Sequence, residues 1–260
     1  HRPYNPGDEL KHVDWRVYAK TDRFFLKQYE EETNLRHYVL LDTSSSMRYR
    51  RHSSLSKLEY ASYLAASLHY LMHKQRDATG LVAFDETLHT LMPPKSAHGY
   101  LRRLLVELER LNDLPEETRR TTSAASTLHE IAERIARRSL IVLMTDLFEN
   151  VSQHDELLRS LKHLRHRNHE VLVFHILEEE TERRFKFPDV PMVFRDVETG
   201  EEMTVQPAQI KEDYMAAVDL FRDRFKRGCL EYNIDFVELD TAIPYDKALL
   251  AYLNKRKRLA

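Results

Sequence analysis

The sequence predicts an α/β protein with a doubly wound, mainly parallel sheet and helices on both faces, a three-layer arrangement of the Rossmann type. Two observations support this fold class. Short apolar segments rich in β-branched residues alternate with longer segments of helical periodicity. Some of the short segments, such as Val39–Leu41 and Leu140–Leu143, are continuously apolar, which is typical of parallel strands buried on both faces.

The apolar segments predict five strands of one central sheet. They are His37–Asp42, Thr79–Phe84, Ser139–Thr145, Val171–Leu177 and Asp235–Leu239. Leu88–Met92 follows a turn at Asp85-Glu86 and is predicted to pair back onto the second of these strands. A second β-hairpin is predicted over Met192–Val205, within about residues 191–206, with Glu198-Thr199-Gly200 at its tip. It either projects from the body or extends an edge of the sheet.

Helices are predicted between the strands, because apolar residues recur there at helical spacing. In Lys57–His73, for example, Leu58, Leu64 and Leu68 fall on one side. The remaining predicted helices are Gly99–Leu111, Leu128–Ala136, Gln153–Arg167, Gln209–Arg227 and Tyr245–Lys255.

The composition excludes several classes of function. The chain has 40 Lys and Arg against 42 Asp and Glu, a net charge of −2, so no nucleic-acid partner is expected. One cysteine, Cys229, excludes a disulfide framework and a cysteine-based zinc site. The five glycines lie too far apart for a glycine-rich phosphate-binding loop. No apolar run is long enough to insert into a membrane, and the expected location is the cytoplasm, or the cytoplasmic face of a membrane if an anchor precedes residue 1.

Polar residues follow two of the predicted strands at the point where each strand ends. Asp42, Ser44 and Ser46 form an Asp-x-Ser-x-Ser motif after the first strand, and Asp146 follows the Ser139–Thr145 strand. The carboxyl ends of parallel strands share one edge of the sheet, so these side chains are expected to lie close together. Carboxylate and hydroxyl oxygens suit Mg²⁺, Mn²⁺ or Ca²⁺. The alternative is that these residues only cap turns and helices.

This order of residues resembles the metal-ion-dependent adhesion site of von Willebrand factor A domains. The resemblance adds Thr122, chosen over Thr121 because it stands six residues before Leu128. It implies that Ser44, Ser46 and Thr122 bind a divalent cation, Mg²⁺ above all, directly. Asp42 and Asp146 would act largely through water, and an Asp or Glu of a partner protein would complete the coordination shell.

The amino-terminal segment resembles a second pattern, that of the bacterial family DUF58, whose members carry a von Willebrand A-like core. Residues 2–16 read RPYNPGDELKHVDWR and match the family's R-x-Y-x-x-G-D-x-x-x-x-I-D-W-K. On physical grounds, Trp15 is expected to be buried, and the amino-terminal segment is either an ordered arm or a docking surface for a partner. The resemblance implies an arm over residues 1–34 packed on a domain over 35–260. It also implies a MoxR-type AAA+ ATPase as partner, for which the protein would be an adaptor in protein maturation or assembly.

The predicted function is therefore protein binding through a divalent cation, without catalysis. Two alternatives stay open. A metal-dependent hydrolase or phosphohydrolase would use Asp42, but no Glu, His or Lys in the three site loops fills the role of an acid or base. A metal-free scaffold is the other alternative, because Ser45 and Leu147 stand where the family pattern has glycine.

Overall fold

The computed structural model describes residues 2–4, 13–26, 36–113, 124–135, 138–147, 154–196 and 200–259. The chain divides into two compact units, His1–Asn34 and Leu35–Ala260.

The first unit contains a short helix and a two-stranded antiparallel sheet. Strands β1 (Arg2–Pro3) and β2 (Phe25–Leu26) flank helix α1 (Trp15–Thr21) in sequence. Asp14 caps the helix, because its Oδ1 accepts hydrogen bonds from the amides of Arg16 at 3.0 Å and Val17 at 3.3 Å. The prediction that Trp15 is buried is wrong. It occupies the first helical position, touches Tyr18 edge-on and is 59% exposed.

The second unit is built on a six-stranded sheet in the order β10-β7-β6-β3-β4-β5. The strands after β2 are β3 (Arg36–Asp42), β4 (Ala78–Phe84), β5 (Leu88–Lys95), β6 (Ser139–Thr145), β7 (Glu170–Leu177), β8 (Met192–Arg195), β9 (Glu202–Val205) and β10 (Asp235–Asp240). All neighbours in the six-stranded sheet pair in parallel except β4 and β5, which are antiparallel. The predicted strands and their mainly parallel arrangement are confirmed.

Helices cover both faces of this sheet, and each face has its own core. The helices are α2 (Lys57–Lys74), α3 (Tyr100–Asp113), α4 (Ala124–Arg134), α5 (His154–His166), α6 (Pro207–Glu231) and α7 (Tyr245–Leu259). Val39 and Leu41 of β3 pack with α2, α3 and α7, whereas Tyr38 and Leu40 pack with α4, α5 and α6. Successive side chains of a strand point to opposite faces of the sheet, and here both faces are covered by helices. The domain therefore has three layers: helices, sheet and helices.

An irregularity marks the β4–β5 pair at one edge of the sheet. The register shifts between Thr79 and Leu81, opposite Pro93 and Pro94. Gly80 lies at this point, where a Cβ would come within 2.5 Å of the Met92 carbonyl oxygen and 2.8 Å of the Pro94 nitrogen. The close approach of the two backbones therefore requires glycine.

Strands β8 and β9 form a separate two-stranded sheet, so the predicted hairpin is confirmed. In the described part of the chain it does not extend an edge of the six-stranded sheet. Phe194 of β8 packs against Phe185 and Phe187, with ring centroids 5.7 and 5.1 Å apart. Gly200 has a φ of 76°, which favours glycine, while the tip residues 198 and 199 lie outside the described residues. None of the helices in the described ranges has the length and apolar character needed to cross a membrane.

Candidate functional site

The sheet order brings the two predicted aspartates, Asp42 and Asp146, to the edge of the sheet formed by the carboxyl ends of its parallel strands. Strands β3 and β6 are neighbours, with Leu41 paired to Met144, so Asp42 and Asp146 follow at adjacent strand ends. The Thr145 hydroxyl donates a 2.6 Å hydrogen bond to Asp42 Oδ2 and accepts one of 3.1 Å from the Leu147 amide. One hydroxyl thus links the two loops. Sequence reasoning did not single out Thr145, although it directly precedes Asp146.

The Asp-x-Ser-x-Ser motif folds so that its three side chains converge, as predicted. Asp42 Oδ1 accepts a 2.9 Å hydrogen bond from the Ser44 amide. A single 3₁₀ turn over Ser45–Arg48 then brings Ser46 back beside Ser44, with the two Oγ atoms 3.2 Å apart. Asp42 and Ser46 are buried, whereas Ser44 is partly exposed. The motif therefore presents a carboxylate and two hydroxyls at one point of the sheet edge.

The two positions where the family pattern has glycine behave differently. Ser45 lies in the 3₁₀ turn and is not among the described residues of positive φ, so a serine fits there without strain. Leu147 has a φ of 55°, the left-handed region that favours glycine. Its side chain is nonetheless buried in the core with α4, α5 and α6. The loop after Asp146 thus keeps a conformation suited to glycine, and burial of the leucine offsets the strain. Thr122, the fifth predicted ligand, lies outside the described residues.

Two charged residues that sequence reasoning missed lie beside Asp146. The Lys57 ammonium donates hydrogen bonds to Asp146 Oδ2 at 2.7 Å and to Glu182 Oε1 at 2.5 Å, and its side chain is 1% exposed. Lys57 is the first residue of α2, directly after the capping serine Ser56, and Glu182 lies in a single π-helical turn after β7. Neither belongs to the three predicted loops. Only the fold brings them to the site.

Burial and the proximity of these charges shift the pKa values of the cluster. Burial, and then repulsion from Asp146, raises the pKa of Asp42 to about 7, although hydrogen bonds from Thr145 and Ser44 oppose the shift. Burial by itself would lower the pKa of Lys57, but Asp146 and Glu182 outweigh it and raise that pKa. Burial and Asp146 raise the pKa of Glu182. The two carboxylates therefore favour the ammonium form of Lys57.

Further hydrogen bonds fix the loops around the site. Glu178 Oε1 accepts from the amides of His52 at 2.5 Å and Ser53 at 2.8 Å, and its Oε2 accepts from the Thr181 hydroxyl at 2.7 Å. His175 Nε2 donates to the Asp146 carbonyl oxygen at 3.0 Å. The end of β7 thus holds both the loop before α2 and the backbone at Asp146.

A divalent cation fits the Ser44 and Ser46 geometry. Two adjacent ligands of an octahedral Mg²⁺, each about 2.1 Å from the ion, lie about 3 Å from one another. The separation of 3.2 Å between the two serine oxygens is close to this value. Among the described residues, no group of three His, Cys, Asp or Glu side chains could hold a metal. Binding of a cation here would therefore depend on hydroxyl ligands.

Comparison with known proteins places this geometry in context. An uncharacterized protein of Mycobacterium tuberculosis, Rv1480, is 25% identical over 234 residues, which cover 88% of this chain and 70% of the relative. The conserved hypothetical protein BatB of Bacteroides thetaiotaomicron matches 86% of this chain and 99% of its own, with a TM-score of 0.52 and 16% identity. An aerotolerance-related membrane protein of Bacteroides fragilis matches 85% of this chain and 99% of its own, with a TM-score of 0.54 and 18% identity.

A more distant likeness is to the von Willebrand A domain of SpRpn10, which covers 83% of this chain at 13% identity with a TM-score of 0.41. The predicted α/β fold with a doubly wound, mainly parallel sheet is confirmed by the sheet order, and the two Bacteroides structures share this fold. The sequence matches the family described as "Protein of unknown function DUF58" over residues 1–224, and the chain belongs to that family.

Proposed function

We propose that the protein binds an acidic side chain of a partner protein through a divalent cation, for which Mg²⁺ is best suited, at the carboxyl edge of its sheet. Ser44 and Ser46 would hold the cation directly together with Thr122, and Asp42 and Asp146 would act largely through water. The convergence of the two serine hydroxyls beside Asp42 is the observation that carries this proposal.

The chemistry of the donor set favours a partner carboxylate. A divalent cation held by neutral hydroxyls supplies a Lewis-acidic position that an Asp or Glu from outside can fill. Ser44 and Ser46 contribute no negative charge. Thr145 orients the Asp42 carboxylate, and Glu178 holds the loop before α2 in place. The residues of the site would therefore position a cation and leave one of its coordination positions available to another protein.

The two charged residues beside Asp146 favour binding over hydrolysis. A hydrolase needs a group that accepts or donates a proton next to the substrate. Lys57 is buried and paired with two carboxylates, and these raise its pKa, so it cannot serve as a base near neutral pH. Within the described parts of the chain, Glu182 is also committed to an ion pair with Lys57.

The partner is proposed from family membership. DUF58 resemblance points to a MoxR-type AAA+ ATPase, with the protein as its adaptor in maturation or assembly of other proteins, in the cytoplasm or at the cytoplasmic face of a membrane. Association of the purified protein with such an ATPase should require Mg²⁺ and be lost on chelation. Association that persists in excess chelator and in Asp42→Ala would contradict a role for the cation.

Calorimetric titration of the chelator-stripped protein with Mg²⁺, Mn²⁺ and Ca²⁺ tests the site itself. We expect binding that disappears in Asp42→Ala and in the double variant Ser44→Ala/Ser46→Ala. Ser67→Ala is the matched control, because Ser67 lies partly exposed on α2 and donates only locally to the Tyr63 carbonyl. Binding that survives in the Ser44/Ser46 variant would exclude these hydroxyls as ligands.

A further inference from the structure

The ion cluster around Lys57 contains more charge than a site of two aspartates needs. The side chain of Lys57 is 1% exposed, that of Asp146 is 3% exposed and that of Glu182 is 16% exposed. The ammonium also lies 5.5 Å from the centroid of the Tyr49 ring. A charge buried to this degree is retained only when it is paired. Lys57 and Glu182 are therefore fixed parts of the site's electrostatics.

We propose that the Lys57 ammonium is the internal counter-ion that sets the charge of this site, so that a bound divalent cation leaves the site neutral and open to a partner's carboxylate. This inference rests on the proposed function. Among the described residues, the cluster contains the carboxyl groups of Asp42, Asp146 and Glu182 and the ammonium of Lys57. When all four groups are ionised, as a bound cation favours, they carry two negative charges, which a divalent cation cancels. Without Lys57, the loaded site would keep a negative charge and repel an acidic partner.

The charges of Glu182 and Lys57 cancel each other in the proposed site. Removing only the ammonium adds one negative charge to the site, and removing only the Glu182 carboxylate takes one away. Removing both restores the original two charges on Asp42 and Asp146. A unit charge about 6 Å from a divalent ion changes its affinity by about tenfold even at the dielectric constant of water. The two single variants should therefore change metal affinity in opposite directions.

The test is calorimetric titration of Mn²⁺ and Mg²⁺ into the stripped full chain carrying Lys57→Met, Glu182→Gln, or both. We expect Lys57→Met to bind about tenfold more tightly than the parent protein and Glu182→Gln about tenfold more weakly. The double variant should return to within about threefold of the parent. A purely structural role for Lys57 predicts the opposite result for Lys57→Met, because disorder of the site would weaken binding. Circular dichroism verifies the fold of each variant.

The outcomes separate this inference from the proposed function. If the parent binds metal but Lys57→Met does not bind more tightly, the counter-ion role is overturned and the proposed function stands. If the parent binds no metal while Lys57→Met does, Lys57 is the resident cation and the proposed function fails. If no variant binds metal, both fail. If Lys57→Met does not fold, Glu182→Gln decides, because it keeps the shape of the side chain: unchanged affinity there contradicts the proposal.

Discussion

Thr145 and Asp42 are joined by a 2.6 Å hydrogen bond between the ends of two neighbouring strands. The same hydroxyl accepts from the Leu147 amide, so it fixes the orientation of Asp42 and the turn after Asp146 together. A buried hydroxyl with both a donor and an acceptor partner has little freedom to rotate. The geometry of the site therefore depends on a residue that contributes no ligand in the proposed scheme.

Replacement of Thr145 by valine should damage the site while preserving the side-chain shape. It leaves an Asp42 oxygen and the Leu147 amide without this partner, and we expect a loss of about 2 kcal/mol in the free energy of unfolding. Metal affinity should fall as well, because Asp42 is no longer oriented. Thr145→Ser, which keeps the hydroxyl, is the control. Equal stability of the valine and serine variants in urea would contradict this role.

Cation binding should depend on pH through Asp42. Its pKa is raised to about 7 by burial and by Asp146, so the carboxyl group is partly protonated at neutral pH. A cation favours the ionised form, so the affinity for Mg²⁺ should fall as the pH decreases from 8 to 6, with release of a proton on binding. Calorimetry in buffers of different ionisation enthalpy measures that proton. An affinity that does not change over this range would contradict the expectation.

The free energy of unfolding of the metal-free protein should also depend on pH through Asp42. Asp42 has a higher pKa when folded, about 7, than the ordinary value of 3.8. Between these values the folded state binds more protons than the unfolded state, so the free energy of unfolding should decrease as the pH rises from about 4 to 7. The slope should become smaller in Asp42→Asn. Urea denaturation in excess chelator at several pH values provides the measurement.

Glu178 should contribute to stability through the loop before α2. Burial alone would raise its pKa, but hydrogen bonds from Thr181, His52 and Ser53 lower it to about 2. Its contribution is therefore present above about pH 4.5 and lost as the pH falls toward 2. Glu178→Gln should cost about 2 kcal/mol at pH 7 and less at pH 3. Glu180→Gln, which affects a surface ion pair with Lys186, should cost clearly less than Glu178→Gln at pH 7.

The close approach of β4 and β5 predicts different effects for two glycine substitutions. Gly80→Ala would place a Cβ 2.5 Å from a backbone oxygen that cannot move away cheaply, and we expect a loss of about 3 kcal/mol. A Cβ at Gly99 meets no atom within 4 Å, so Gly99→Ala should change stability by less than about 1 kcal/mol. Thermal unfolding of both variants measures the difference. Similar midpoints would show that the strands can separate at little cost.

The sequence was sufficient to predict the sheet, because hydrophobic periodicity is a local property. Val39–Leu41 and Leu140–Leu143 lie in buried parallel strands as expected. Strand β3 ends at Asp42, and strand β6 ends directly before Asp146. The convergence of Asp42, Ser44 and Ser46 was likewise predictable, because their spacing is fixed within one loop. Whether they bind a cation stays a prediction.

The ion cluster could not be predicted in the same way. Lys57 and Asp146 are 89 positions apart, and Lys57 begins an ordinary capped helix in which lysine is a common residue. Its burial depends on how α2 packs against the end of β6. Trp15 shows the opposite error, because a large aromatic residue was expected to be buried and is exposed. Long-range packing decides both cases, and the local pattern contains no signal of it.

The paired prolines in β5 have a consequence for how these molecules behave at high concentration. This strand ends the six-stranded sheet, and among the described residues none pairs with its outer side. Pro93 and Pro94 have no amide hydrogen, so this part of the strand cannot template an additional strand from another chain. The register shift opposite Gly80 also distorts the strand at that point. The local arrangement that lets two backbones meet closely thus protects this edge from uncontrolled polymerisation.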